Sequence, residues 1–105
     1  MKASELTQRI NSSSAPVVID ARSWFEFKRG HIAGAIHAPV LTILFKRARL
    51  PENKNSELVI TCEHGPRALM AKCLLATYGY RNTTLLDGHM LGWRKAGLPL
   101  EKQPS

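Results

Sequence analysis

The 105-residue sequence predicts an α/β fold: a mainly parallel sheet with helices on both faces, in three layers. Three observations carry that prediction. The apolar runs Val17-Val18-Ile19 and Leu58-Val59-Ile60 are of strand length and do not alternate with polar residues, so both of their faces are expected to be covered. Stretches of helical length lie between the strands, in the alternation that links parallel strands through crossover helices. A short turn, Cys62-Glu63-His64-Gly65-Pro66-Arg67, joins the second run directly to the helix behind it.

Taken in order, Ser4 to Ile10 reads as a short leading helix and Val17 to Asp20 as a strand rich in β-branched residues. Ser23-Trp24-Phe25-Glu26 has the form of a capping box, in which the serine bonds free N–H groups and the glutamate reaches back. Gly30 stands at the C-terminal cap of that helix. Ile36 to Ala38 is a brief strand stopped by Pro39. Val40 to Arg49 reads as a helix with Leu41, Leu44, Phe45 and Ala48 on one apolar face. Leu58 to Thr61 is the next strand, and Pro66 to Tyr78 a helix ended by Gly79. Thr83 to Leu86 is the last strand, and His89 to Ala96 the last helix. Ligands of such sheets sit beyond the carboxyl ends of the strands, where Asp20, Cys62 and Gly88 all fall.

Composition narrows the class. One domain over 1–105 is expected, since the chain is long enough for one core but not for two. An apolar share of 44% and a charged share of 22% are ordinary for a globular protein. No run approaches the roughly 18 apolar residues of a membrane span, and Met1 to Leu6 lacks a secretion signal, so a cytoplasmic location and no membrane partner are expected. The net charge of +7 comes from 15 Lys and Arg against 8 Asp and Glu. Only Lys46-Arg47-Ala48-Arg49 forms a cluster, without a nucleic-acid-binding signature, so no nucleic-acid partner is expected. A small anionic substrate or an acidic protein partner accounts for the charge with fewer assumptions.

Cys62 and Cys73 are separated by a turn and most of a helix, so no disulfide between them is expected. Neither has zinc-knuckle spacing, and His31 and His37 lack ligand partners at suitable intervals; no metal or organic cofactor is expected. His31 reads better as a buried hydrogen-bonding residue.

A cysteine at the end of a strand, with a helix opening just behind it, sits where backbone N–H groups converge. Such a site favours a thiolate and binds anions. Arg67 adds a permanent cation with a planar fork of donors. As a helix cap a cation at an N-terminus is unfavourable, so anion binding is the better role for it. Cys62 could instead be a core residue, but a core cysteine would not need Gly-Pro-Arg straight behind it. For Cys73, amid Ala71, Leu74 and Leu75, packing is the better reading. His64 is expected to wall the pocket and Glu63 to be solvated, while Pro66 removes one N–H from the cradle. His89 could touch substrate or simply start its helix. Trp24, Phe25, Phe27 and Trp93 read as core or half-buried packing, and Asp20 with Arg22 as an ion pair steadying the active end of the sheet.

Four residues separate Cys62 from Arg67, one fewer than in the cysteine phosphatases and the related arsenate reductases. The next position is Ala68, which cannot clamp an oxyanion. The shorter loop resembles that of the rhodanese-type sulfurtransferases. Val17-Val18-Ile19-Asp20-Ala21-Arg22 is similar to that family's first core strand and Asp-x-Arg signature. Glu26 and Gly30-His31-Ile32-Ala33-Gly34-Ala35 resemble its next motif. Leu86-Asp87-Gly88, Trp93 and Ala96-Gly97-Leu98-Pro99 resemble its closing segment. These blocks span about residues 16–100 in the family's order; His89 stands where the family usually has a second glycine. The resemblance implies a single-domain rhodanese-like fold and thiosulfate sulfurtransferase-like activity. Cys62 would then be the catalytic nucleophile, with Glu63, His64, Gly65, Pro66 and Arg67 forming the substrate-binding loop. A small anionic sulfur donor and a thiol or protein-cysteine acceptor are the implied partners. The alternative is a persulfide relay or a regulatory binding module with little small-molecule turnover.

Overall fold

The structure is a computed structural model describing residues 1–102; the last three residues of the expected 1–105 domain lie outside the described residues. Four strands, β1 (Val17–Asp20), β2 (Ile36–His37), β3 (Leu58–Thr61) and β4 (Thr83–Leu85), form one sheet in the order β2-β1-β3-β4. Every pairing is parallel. All four carboxyl ends therefore emerge on one edge, and Cys62 leaves the sheet beside the end of β1.

Alternate residues of the central strands feed two cores. Ile19, Leu58 and Ile60 meet Ile43 of α3 (Val40–Leu44) and Ala68, Ala71 and Leu75 of α4 (Pro66–Thr77) on one face. Val18 and Val59 meet Leu6 of α1 (Ala3–Ile10) and Met90 and Trp93 of α5 (His89–Lys95) on the other. This is the three-layer parallel α/β arrangement the unalternating strands predict. The remaining helix, α2 (Trp24–Arg29), lies past the end of β1 and opens on a complete capping box between Ser23 and Glu26.

Several local expectations are corrected. Gly30 takes the cap position of α2 but in an extended conformation, φ 165°. Its small size is explained instead by Leu100, whose Cδ1 would lie 3.2 Å from an added Cβ. Helix α3 ends at Leu44 rather than Arg49: Lys46 turns left-handed (φ 58°), and the Arg47 and Ala48 N–H groups both donate to the Thr42 carbonyl. Its buried side is Ile43, with Val40 packed beside it, whereas Leu41, Leu44 and Phe45 face outward. The segment is apolar all round, so periodicity could not choose between two faces. Cys73 is exposed, because α4 buries Ala68, Ala71 and Leu75 and turns residue 73 outward. Phe25, 66% exposed under the Lys28 ammonium, is not core, and Trp24 is also exposed; Phe27 and Trp93 are buried as expected.

Candidate active site

The loop after β3 owes its shape to three residue types. All four residues of β3 are buried, which fixes the strand and delivers Cys62, itself fully buried, to the carboxyl edge. The chain then reverses so that the Gly65 N–H donates to Cys62 Sγ at 3.0 Å. Gly65 has φ 129°, a conformation that a residue with a Cβ rarely adopts. Pro66 occupies the first turn of α4, where its missing N–H would have had no helical partner. The sulfur thus lies at the N-terminal end of a 12-residue helix, where oriented peptide dipoles favour negative charge.

His89 supports this loop from below. Its Nδ1 accepts the Cys62 N–H at 3.3 Å, and its Nε2 lies 3.2 Å from where a Cβ at Gly65 would stand. The imidazole therefore occupies the space between the two ends of the Cys62–Gly65 turn. An acceptor Nδ1 requires the neutral ring with its proton on Nε2. Burial holds the imidazole below its usual pKa, with Asp87 opposing, so the ring stays neutral to lower pH than a free histidine. His89 sits at φ 51°, a left-handed position that asparagine tolerates well. Removing the acceptor with His89→Leu strips the Cys62 N–H of its partner, at a cost of about 1–3 kcal/mol where water is excluded. His89→Leu is expected to slow alkylation of Cys62 by iodoacetamide or to abolish its single-phase kinetics, while His89→Asn retains both. Protonation of the wild-type ring sets two donors face to face. The native alkylation rate should therefore fall as pH drops through the depressed pKa of His89, and that limb should be absent in His89→Asn.

Three ion pairs surround the loop. Arg67 makes a fork to Glu26 at 2.6 and 2.9 Å, and this pairing brings the Glu26 carboxyl down to about 2, with the Ser23 hydrogen bonds adding to it. Glu63 is bonded by both terminal nitrogens of Arg94 and lies 3.5 Å from Arg22 Nη1. Its carboxyl is held below the usual range by Arg94 first, with Arg22 and His64 contributing. Asp20 and Arg22, both buried, form the ion pair expected from the sequence, and Arg22 Nη2 also donates to the Gly30 carbonyl at 2.7 Å. A cavity of 340 Å³ beside the loop is lined by Arg22, Arg29, Arg94, Glu26 and Glu63, together with Gly30 and Leu100. Its three guanidiniums outnumber its two carboxylates.

The six expected site residues therefore separate. Cys62, Gly65 and Pro66 build the turn as expected. Glu63 is not solvated, because two arginines that are distant in sequence converge on it. His64 is exposed and is not among the residues lining the cavity beside the loop. The Arg67 fork faces Glu26 rather than an open anion site. Sequence reasoning missed Arg94 and the second role of Glu26, whose capping motif accounted for it fully on its own. It left His89 undecided, although its place after the last strand was the available signal. Among the described residues, His31 Nδ1 bonds the Phe27 carbonyl at 2.8 Å and its ring stacks on Phe27, as a buried structural histidine would.

The fold and site together are a parallel α/β sheet that presents a buried cysteine in a tight, cation-flanked turn at a helix N-terminus. The chain belongs to the rhodanese-like domain family, whose profile matches residues 2–96. It is 30% identical over 95 residues to a sulfurtransferase of Allochromatium vinosum, covering 90% of this chain and 87% of that protein. Of other curated relatives the chain spans less, between 30% and 55% of their length. Among solved structures, a rhodanese-related protein of Thermoplasma volcanium superposes with a TM-score of 0.83 at 27% identity, covering 98% of this chain and 97% of that one. A human single-domain sulfurtransferase superposes with a TM-score of 0.76 at 25% identity, over 90% of this chain and 94% of that one. Among the described residues no helix is long and apolar enough to cross a membrane.

Proposed function

We propose that the chain moves a sulfane sulfur from a small anionic donor, such as thiosulfate, to a thiophilic acceptor through a persulfide on Cys62. The observation that supports this reading best is the Gly65 N–H aimed at Cys62 Sγ at 3.0 Å, in a loop one residue shorter than that of the cysteine phosphatases. In the first half-reaction the Cys62 thiolate attacks the outer sulfur of thiosulfate. A new S–S bond forms, the donor's S–S bond breaks, and sulfite leaves with the electron pair. In the second, the acceptor attacks the terminal sulfur and the thiolate returns. Cyanide becomes thiocyanate in this step, and a protein thiol becomes a persulfide. Splitting the transfer in two replaces one difficult step by two easier ones. The Gly65 amide, which reaches Sγ, stabilises anionic sulfur in both states, and residues 63, 64 and 67 supply the loop's other N–H groups; Pro66 has none to offer.

The donor's charge is met by the guanidiniums of the neighbouring cavity. Glu63 opposes them only weakly, being paired to Arg94. Glu63→Gln is expected to raise the second-order rate with thiosulfate by less than about tenfold, the scale of one partly exposed charge. The gain with a neutral persulfide donor should be smaller, and stopped-flow comparison of the two donors measures it. The overall reading is tested by steady-state kinetics with thiosulfate and cyanide varied together. Parallel double-reciprocal lines are expected; converging lines contradict a free persulfide intermediate. A relay with little small-molecule turnover is the second reading, supported by the complete burial of Cys62. A relay loads once from thiosulfate and discharges to a protein thiol but not to cyanide.

A further inference from the structure

Helices α3 and α4 lie side by side on one face of the sheet, joined by a hydrogen bond from the Tyr78 hydroxyl to the Leu44 carbonyl at 2.8 Å. Each turns an apolar stripe outward. On α3 these are Leu41 and Phe45, 64% and 65% exposed, with Leu44 between them. On α4 they are Leu69 and Met70, 54% and 57% exposed, at the turn that begins where the Leu69 N–H bonds the Gly65 carbonyl of the active loop. Both helices start at the carboxyl edge of the sheet, so the apolar surface begins at the mouth of the Cys62 turn. An ordinary helix would carry acidic residues among such exposed positions. Here residues 27–51 and 64–86 contain no Asp or Glu; Lys46, whose ammonium lies over the Tyr78 ring, is followed in the chain by Arg47 and Arg49, and exposed Glu52 is the first acidic residue beyond them. The two carboxylates nearest the loop, Glu26 and Glu63, are each tied to an arginine.

From this arrangement we infer that the α3–α4 face is the docking surface for a protein partner that exchanges sulfur with Cys62. That partner presents an apolar patch rimmed by acidic residues, next to its own thiol. The inference rests on the sulfur-transfer reading and adds to it the chemistry of the macromolecular partner. An apolar centre with a predominantly positive rim supplies both halves of such an interface: desolvation at the middle and steering at the edge. A second copy of this chain does not fit, because it would bring the same positive rim against itself. A lipid surface matches the charges but carries no thiol to the mouth of the turn.

The test loads Cys62 with thiosulfate, removes excess donor, and follows discharge to two synthetic cysteine peptides. They are alike in length and in two leucines beside the cysteine, and differ only in having four glutamates or four lysines around them. The glutamate peptide should discharge the protein roughly tenfold or more faster at low ionic strength, with the ratio shrinking as salt is added. The paired substitutions Leu41→Ser with Phe45→Ser, and separately Arg47→Glu with Arg49→Glu, should collapse that ratio and leave discharge to cyanide unchanged. Equal rates for the two peptides, or a ratio that survives both pairs of substitutions, would overturn the inference. So would sedimentation with anionic phospholipid vesicles that depends on Phe45 and competes with the glutamate peptide. If no sulfur loads, the transfer reading has failed, and docking is then read from fluorescence anisotropy of the serine form of the glutamate peptide. Binding that is lost in Leu41→Ser with Phe45→Ser would keep the docking surface, and no binding would remove it.

Discussion

Cys62→Ser is expected to reduce thiosulfate–cyanide sulfur transfer by roughly 10³-fold or more, to the rate without protein, because the attacking group is removed outright. The substitution is otherwise mild. A serine hydroxyl can still accept the Gly65 N–H that now reaches Sγ at 3.0 Å, so the loop and the fold persist. Unfolding of the variant by heat should stay close to that of the parent protein, which separates lost chemistry from lost structure. Cys73→Ser should leave transfer unchanged, since Cys73 stands on the outward face of α4, away from the turn. Substantial transfer by Cys62→Ser would move the chemistry elsewhere in the chain.

Arg22→Met is expected to destabilise the fold by about 3–5 kcal/mol, the cost of leaving a buried charge without its partner. Asp20 is fully buried and Arg22 nearly so, and the guanidinium donates three hydrogen bonds of 2.8, 2.9 and 3.2 Å to the two carboxylate oxygens of Asp20. The same side chain holds the Gly30 carbonyl at 2.7 Å. One substitution therefore strands a carboxylate and a carbonyl and takes a cation from beside Glu63. For a domain of this size the melting temperature should drop by more than about 10 °C. Adding Asp20→Asn to Arg22→Met should recover part of the loss, because a neutral amide costs less to bury than an unpaired carboxylate. A loss under about 1 kcal/mol in urea titration would mean that water reaches the pair.

Strands β1 and β3 and helix α4 were legible because their apolar runs are short, unalternating and bounded by Gly, Pro or polar residues. The Cys62–Gly65 turn was legible because glycine and proline fall at the positions where the backbone needs them. The Asp20–Arg22 pair could be read because the partners are two residues apart. What the sequence concealed was contact across distance. Nothing local connects Glu63 to Arg94, 31 residues on, or Glu26 to Arg67, 41 residues on, and these pairs decide which charges the loop presents. Helix α3 misled for a different reason. Its apolar residues cover more than one side, so packing against the sheet, not periodicity, selected Ile43 and left Leu41 and Phe45 outside. Position 73 lay in an apolar context in sequence and on an exposed face in space.

Whether the transferred sulfur is carried on Cys62 Sγ is measured most directly by intact mass. The protein is incubated with thiosulfate, desalted, and weighed before and after cyanide. A gain of one sulfur is expected, removed by cyanide, absent in Cys62→Ser and retained in Cys73→Ser. A cyanide-labile sulfur that persists in Cys62→Ser and disappears in Cys73→Ser would contradict the account.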